Sequence, residues 1–145
     1  MARVSTYLNF PRATEEAFSF YRAVFRSEIY RPIARFKDIP PHPGQPPLAD
    51  ADKNLVMHVE LPILGGHVLM GTDSPESMGF TLTRGNNITI NLEPDTRAET
   101  ERLFTALADG GTVEMPLQDM FWGAYFGLLI DRFGTRWMFN CVNKT

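Results

Sequence analysis

The sequence is poor in the residues that build covalent and metal frameworks. Cys141 is the only cysteine among 145 residues, so no intramolecular disulfide and no cysteine-based metal site can form. Histidine is confined to His42, His58 and His67, and lysine to Lys37, Lys53 and Lys144. The remaining cations are arginines scattered from Arg3 to Arg136, with no basic stripe. Fourteen Lys and Arg against 17 Asp and Glu leave a net charge of −3, which argues against nucleic acid or an acidic membrane as partner. No apolar run approaches the ~18 residues of a membrane span. The phosphate-loop, dinucleotide, zinc-protease and serine-hydrolase signatures are all missing. Met1-Ala2-Arg3-Val4 enters strand-like sequence without a leader's apolar core, so the expected location is the cytoplasm.

What is present is one domain's worth of chain, 1–145, carrying an internal repeat. Val4 to Phe10 alternates and is rich in strand formers, and Pro11 closes it. Thr14 offers an N-cap, and Ala17, Phe20, Tyr21 and Val24 recur at i, i+3, i+4, i+7 as one helix face. Ser27 to Phe36 reads as a second strand interrupted by Pro32. The second half repeats the order. Asn87 to Leu92 alternates, and a helix follows with the face Thr100, Leu103, Phe104, Leu107, stopped by Gly110-Gly111. Leu8-Asn9-Phe10 matches Ile90-Asn91-Leu92, and Phe20-Tyr21 matches Leu103-Phe104, at nearly one spacing. Further strands are expected at Asn54 to Pro62 and Gly66 to Gly71, then at Thr112 to Met120, Ala124 to Asp131 and Thr135 to Val142. Strand–helix–strand–strand–strand is thus written twice. The first module covers about residues 1–71, a linker 72–85, and the second module 86–145. Lys37 to Asn54 holds five prolines and reads as a mobile flap.

Strand alternation also sorts the polar side chains. Leu8 and Phe10 pack outward against a helix, so Ser5, Tyr7 and Asn9 share the opposite face; Asn87, Thr89 and Asn91 follow the same parity. If Gly65-Gly66 makes a two-residue hairpin turn, Leu64 faces His67. Met57, Val59, Leu61 and Ile63 then share an apolar face with Val68 and Met70, leaving His58, Glu60, His67 and Leu69 on the other. His58 and Glu60, about 7 Å apart along the strand, are the candidates for proton-transfer catalysis; equally, they suit a solvated sheet end. Phe121 to Phe126 is aromatic-rich and reads either as core and dimer contact or as the lining of a ligand cavity with Gln118 and Trp122. Cys141 reads as a small core side chain.

Gln118-Asp119-Met120-Phe121-Trp122-Gly123, then Gly127, Asp131-Arg132-Phe133-Gly134 and Trp137-Met138, resemble the vicinal oxygen chelate superfamily of glyoxalase I and bleomycin-resistance proteins, in its PhnB-like branch. Tyr7 to Phe10, Glu16-Ala17 and Phe20-Tyr21 are similar too. The resemblance implies an α+β fold of paired βαβββ modules, each a curled mixed sheet with its helix outside and a cavity within. It also implies a homodimer. Metal-dependent relatives hold an ion from the first and last strands of each module, and those positions fall here at Ser5, Leu69, Asn87 and Met138. A hydroxyl, an alkyl, an amide and a thioether are a poor set for a divalent ion, so no cofactor or tightly held metal is expected. Together with the alternation and the aromatic segment, this makes Tyr7, Asn9, His67, Leu69, Asn87, Asn91, Gln118, Trp122 and Met138 the candidate ligand-binding residues. The expected function is binding, with or without transformation, of a small organic ligand. A metal-dependent lyase, isomerase or dioxygenase and a non-catalytic sequestering protein are the alternatives. Names in this branch include a ubiquinone methyltransferase; this chain has no glycine-rich nucleotide loop to match that label.

Overall fold

A computed structural model describes residues 1–40 and 43–145 and divides them into two compact units, Met1–Leu82 and Thr83–Thr145. The first unit runs β1 (Thr6–Phe10), α1 (Thr14–Phe25), β2 (Ala34–Arg35), β3 (Val56–Pro62) and β4 (Val68–Asp73). The second runs β5 (Ile90–Leu92), α2 (Arg97–Ala108), β6 (Thr112–Asp119), β7 (Tyr125–Ile130) and β8 (Arg136–Cys141). Each forms a four-stranded mixed sheet, ordered β1-β4-β3-β2 and β5-β8-β7-β6. The first strand lies parallel to the last in each unit, and the other pairs are antiparallel. The α+β architecture and the repeated βαβββ order follow the sequence pattern. Among the described residues no helix is long and apolar enough to cross a membrane.

In each unit the helix packs on one sheet face because two stripes match. α1 buries Thr14, Ala17, Phe18, Tyr21 and Val24 against Phe10, Val59, Leu61 and Leu69. Phe18, not the expected Phe20, fills the centre of that face. Gly71 makes room for it: a Cβ there would lie 2.5 Å from Phe18 Cε1. α2 buries the expected Thr100, Leu103, Phe104 and Leu107, in a unit whose core also holds Leu129, Trp137, Phe139 and Cys141.

Two helix starts are held differently. Thr96 caps α2 by accepting the Glu99 N–H at 3.1 Å. Thr14 is not the N-cap of α1; Ala13 is, and the Thr14 N–H goes instead to buried Asp73 Oδ1 at 3.0 Å. Asp73 Oδ2 also accepts the Val56 N–H, so one carboxylate ties the helix to the start of β3.

Three strand expectations need correction. The run from Ser27 to Phe36 yields only Ala34–Arg35, with an irregular register; Pro32 supplies no N–H for a longer ladder. The fifth strand is three residues, Ile90–Leu92, so Asn87 and Thr89 lie outside it. β4 continues to Asp73, two residues into the stretch read as linker. Between Lys37 and Asn54, the described residues hold single 3-10 turns at Phe36–Asp38 and Asp50–Asp52 and no strand. The Lys37 N–H bonds the Lys53 carbonyl at 3.0 Å, and Asp52 is buried against Arg12 and Ser77. Pro41 and His42 lie outside the described residues.

The β3–β4 turn decides which side chains meet. Gly65 and Gly66 do form it, both with positive φ, closed by the His67 N–H on the Leu64 carbonyl at 3.1 Å. But the Ile63 N–H bonds the His67 carbonyl at 2.7 Å, so Leu64 is an extra residue in the hairpin. The ladder therefore pairs Leu61 with Leu69 and Glu60 with Met70, one residue away from the expected register. One residue of slip exchanges the two faces of a strand.

Candidate functional site

The face of the first sheet opposite α1 is built by alternation on three strands. On β1, Leu8 and Phe10 alternate with Tyr7 and Asn9, and the parallel register sets Tyr7 beside Met70 and Asn9 beside Thr72. On β3, Val59 and Leu61 are buried toward the helix, leaving His58 and Glu60 on the opposite side. Met70 and Thr72 complete the face from β4. Ser5 belongs here too, its hydroxyl donating to Met70 Sδ at 3.7 Å.

Three of these side chains form a connected unit. The Tyr7 hydroxyl lies 3.0 Å from His58 Nδ1, and the two rings sit 5.6 Å apart and tilted by 33°. On the other side of the imidazole, Nε2 lies 3.6 Å from Glu60 Oε2. Glu60 is only 8% exposed, although it is a carboxylate. It is compensated by Arg3, whose Nη2 is 3.2 Å from Oε1, and by Arg31, whose Nε is 4.0 Å from Oε2. Burial pushes the Tyr7 phenol above its usual value near 10; a hydrogen bond from Thr72 opposes this and the charge of Glu60 adds to it. The contact pairs either the phenol O–H with Nδ1 as acceptor or Nδ1–H with the phenol oxygen as acceptor, and in the first tautomer the imidazole hydrogen is on Nε2, on the Glu60 side. Tyr7 and His58 are at hydrogen-bond distance and Glu60 at ion-pair distance, so the arrangement gathers a phenol, an imidazole and a buried carboxylate in one place.

Other residues expected at a site are placed elsewhere. Leu69 is fully buried on the helix side, opposite Leu61, because of the extra residue in the hairpin. His67 turns from His58 and Glu60 for the same reason, and its Nε2 lies 2.9 Å from Thr6 Oγ1. Asn9 is on the expected face, its Oδ1 accepting the Ser74 hydroxyl at 3.2 Å. In the second unit, Asn91 pairs with Met138, and Met138 with Leu128, on the face away from Trp137 and Phe139. Gln118 pairs with Phe126 on the same side. Trp122, half exposed in the β6–β7 turn, packs edge-on against Phe121 and Phe126 at 5.0 and 5.5 Å. Asn87 is exposed and precedes the strand.

Met70 and Val68, expected on the helix-packed face, lie on the opposite one, and Arg3, Arg31 and Thr72 carry no sequence signal for this site. Met70 and Thr72 follow once the register is known; nothing near Arg3 or Arg31 in sequence marks them as partners of Glu60.

The donors do not fit a divalent ion. With Leu69 in the core, the thioether of Met70 stands beside Ser5 instead, which is softer still and uncharged. Among the described residues no group of three or more His, Cys, Asp or Glu side chains could hold a metal.

Comparisons with known proteins agree with this fold. The family model described as 3-demethylubiquinone-9 3-methyltransferase matches residues 2–139. The crystal structure of protein PA1353 from Pseudomonas aeruginosa is 37% identical, covers 97% of this chain and 98% of its own, and superposes with a TM-score of 0.81. The PhnB protein from Bacillus cereus is 28% identical over 97% of this chain and 99% of its own, at a TM-score of 0.73. A glyoxalase/bleomycin resistance protein/dioxygenase family enzyme from Burkholderia phytofirmans, 20% identical over 95% and 98%, shares the fold at a TM-score of 0.61. The chain belongs to the PhnB-like family described as 3-demethylubiquinone-9 3-methyltransferase, whose fold is that of the glyoxalase/bleomycin-resistance/dioxygenase superfamily.

Proposed function

We propose that this chain binds a small organic molecule on the open face of its first sheet, without a tightly held metal, and that Tyr7, His58 and Glu60 handle a proton there. The observation that carries the reading is the Tyr7–His58–Glu60 connection on a face that α1 leaves uncovered. A buried carboxylate, an imidazole and a protonated phenol in series are the parts of general acid–base chemistry. The strand-to-helix turns read Pro11-Arg12-Ala13 and Glu93-Pro94-Asp95-Thr96, without the glycines that let a backbone approach a nucleotide-type methyl donor. In the second unit, the exposed Phe121 and Trp122 suit a second copy in a cytoplasmic homodimer.

The test is a small-molecule screen by NMR on the full chain, followed by turnover assays on each hit. Hits should move the Tyr7 and His58 resonances, and Tyr7→Phe, His58→Ala and Glu60→Gln should weaken binding or slow turnover, by about 10²–10⁴-fold where the step is general acid–base catalysis. Variants within about twofold of wild type, inside the scatter of neutral surface changes, would make the cluster structural. About one equivalent of zinc, nickel or manganese in untagged protein would overturn the metal-free reading. Light scattering that finds only the 16.4 kDa monomer at micromolar concentration would overturn the dimer.

A further inference from the structure

The charges around Glu60 do not balance, and the excess is positive. Ser5, Tyr7, Asn9, His58, Met70 and Thr72 bring no second acid to the face, so Glu60 stands alone against Arg3 and Arg31. With His58 neutral the local charge is +1, in a chain whose net charge is −3. Glu60 uses up little of what the arginines offer. A guanidinium carries five N–H donors in a planar fork. Arg3 spends one of them on Oε1, and Arg31 approaches only to ion-pair distance, with its guanidinium 5.4 Å from the Tyr30 ring centre. Their side chains are 57% and 72% exposed, whereas that of Glu60 is 10% exposed. The carboxylate thus sits below, and the two forks sit above it facing solvent.

The backbone holds the segment of one of the two arginines in place. The Tyr30 N–H bonds the Glu60 carbonyl at 3.0 Å, which fixes the segment carrying Arg31 to β3. Arg3 stands three residues before the start of β1. Two like charges brought together this way repel unless an acid lies between them, and Glu60 is that acid. A third party with two oxygens could engage both forks from the solvent side, since bidentate guanidinium–oxyanion pairs are short, directional and strong.

We infer that Arg3 and Arg31 form an anion site at the edge of the Tyr7–His58–Glu60 face, selecting ligands that carry a carboxylate or a phosphonate or phosphate group. This rests on the proposed ligand face and adds the chemical class of its ligand. Glu60 then has two tasks: it orients the arginines and it ends the proton path from Tyr7.

The test uses the full chain and three probes: methylphosphonate, acetate, and acetamide as the uncharged counterpart of acetate. Titration is followed by NMR at the arginine Nε–H and His58 ring resonances. Methylphosphonate and acetate should shift the Arg3 and Arg31 signals saturably, with weakening as sodium chloride rises, and acetamide should not. Arg3→Met/Arg31→Met should lose affinity about tenfold or more, while Arg22→Met, whose arginine pairs with Glu28, should bind as wild type. A non-saturating shift, an equal response to acetamide, or unchanged affinity in the double variant would each overturn the site. Saturation at Arg3 and Arg31 with still Tyr7 and His58 resonances in the small-molecule screen would retain the anion site and refute the wider ligand face. Hits that move Tyr7 and His58 but bind equally well in the double variant would do the reverse.

Discussion

Asp131 is the residue whose replacement should cost this fold most for the least change in shape. It follows β7, and its carboxylate organises the turn into β8. Oδ1 accepts the backbone N–H groups of Phe133 at 2.8 Å and Thr135 at 3.0 Å, and Oδ2 accepts the Trp137 indole N–H at 2.8 Å. Asp131, Phe133 and Trp137 are buried, so water does not replace the bonds to Phe133 and Trp137. Asp131→Asn keeps the volume but turns an NH2 toward the indole N–H, donor against donor. Bonds to a charged acceptor contribute about 1.5–3 kcal/mol each, and a buried unpaired donor costs about 1–3 kcal/mol. Losing one such bond outright and weakening the other two gives an expected destabilisation of about 3 kcal/mol. Urea unfolding followed by far-UV circular dichroism measures it, with a second probe checking that one transition is seen. Trp137→Phe removes the opposing donor, so in that background Asp131→Asn should cost about 1–3 kcal/mol less. A penalty within about 0.5 kcal/mol of zero, or one equal in both backgrounds, would refute this account of the turn.

Gly71→Ala should destabilise the first unit by about 1–3 kcal/mol, because the new methyl would meet Phe18 Cε1 at 2.5 Å; Phe18→Leu in the same chain should recover part of the loss in melting temperature. Asp52 is held below its ordinary value of 3.8 by the Ser77 hydroxyl and by Arg12. A carboxylate lowered in the folded state stabilises it above the unfolded value, and that contribution is lost as pH falls from there through the folded value. Melting temperature should therefore drop below about pH 4, and Arg12→Met should make that part of the profile shallower; an unchanged profile would contradict it. The Tyr7 phenol should titrate above 10 in a wild-type minus Tyr7→Phe ultraviolet difference spectrum, and Glu60→Gln should bring it down, since burial and the Glu60 charge both raise it. A Tyr7 titration at or below 10 would contradict the burial of the phenol and the influence of Glu60 on it.

The sequence by itself determined the repeated βαβββ order, the α2 face at Thr100, Leu103, Phe104 and Leu107, and the grouping of Tyr7 and Asn9, and of His58 and Glu60, away from the helices. Each of these is a local property, because alternation and 3.6-residue periodicity are written in consecutive side chains. Even there, α1 shows the limit: Phe18 and Phe20 both lie near the apolar stripe, and only the gap left by Gly71 on β4 selects Phe18. Tertiary structure decided the rest. One extra residue, Leu64, moved Leu69 into the core and His67 away from His58, because strand faces depend on register and register on turn geometry. Asp73 and Asp131 look like ordinary turn acids, and burial among backbone and indole N–H groups makes them structural centres. Arg3 and Arg31 meet Glu60 only because β4 lies between β1 and β3 and the Tyr30 N–H docks on the Glu60 carbonyl. Convergence across residues 3, 31 and 60 is set by strand order, a non-local quantity that no window of neighbouring side chains contains.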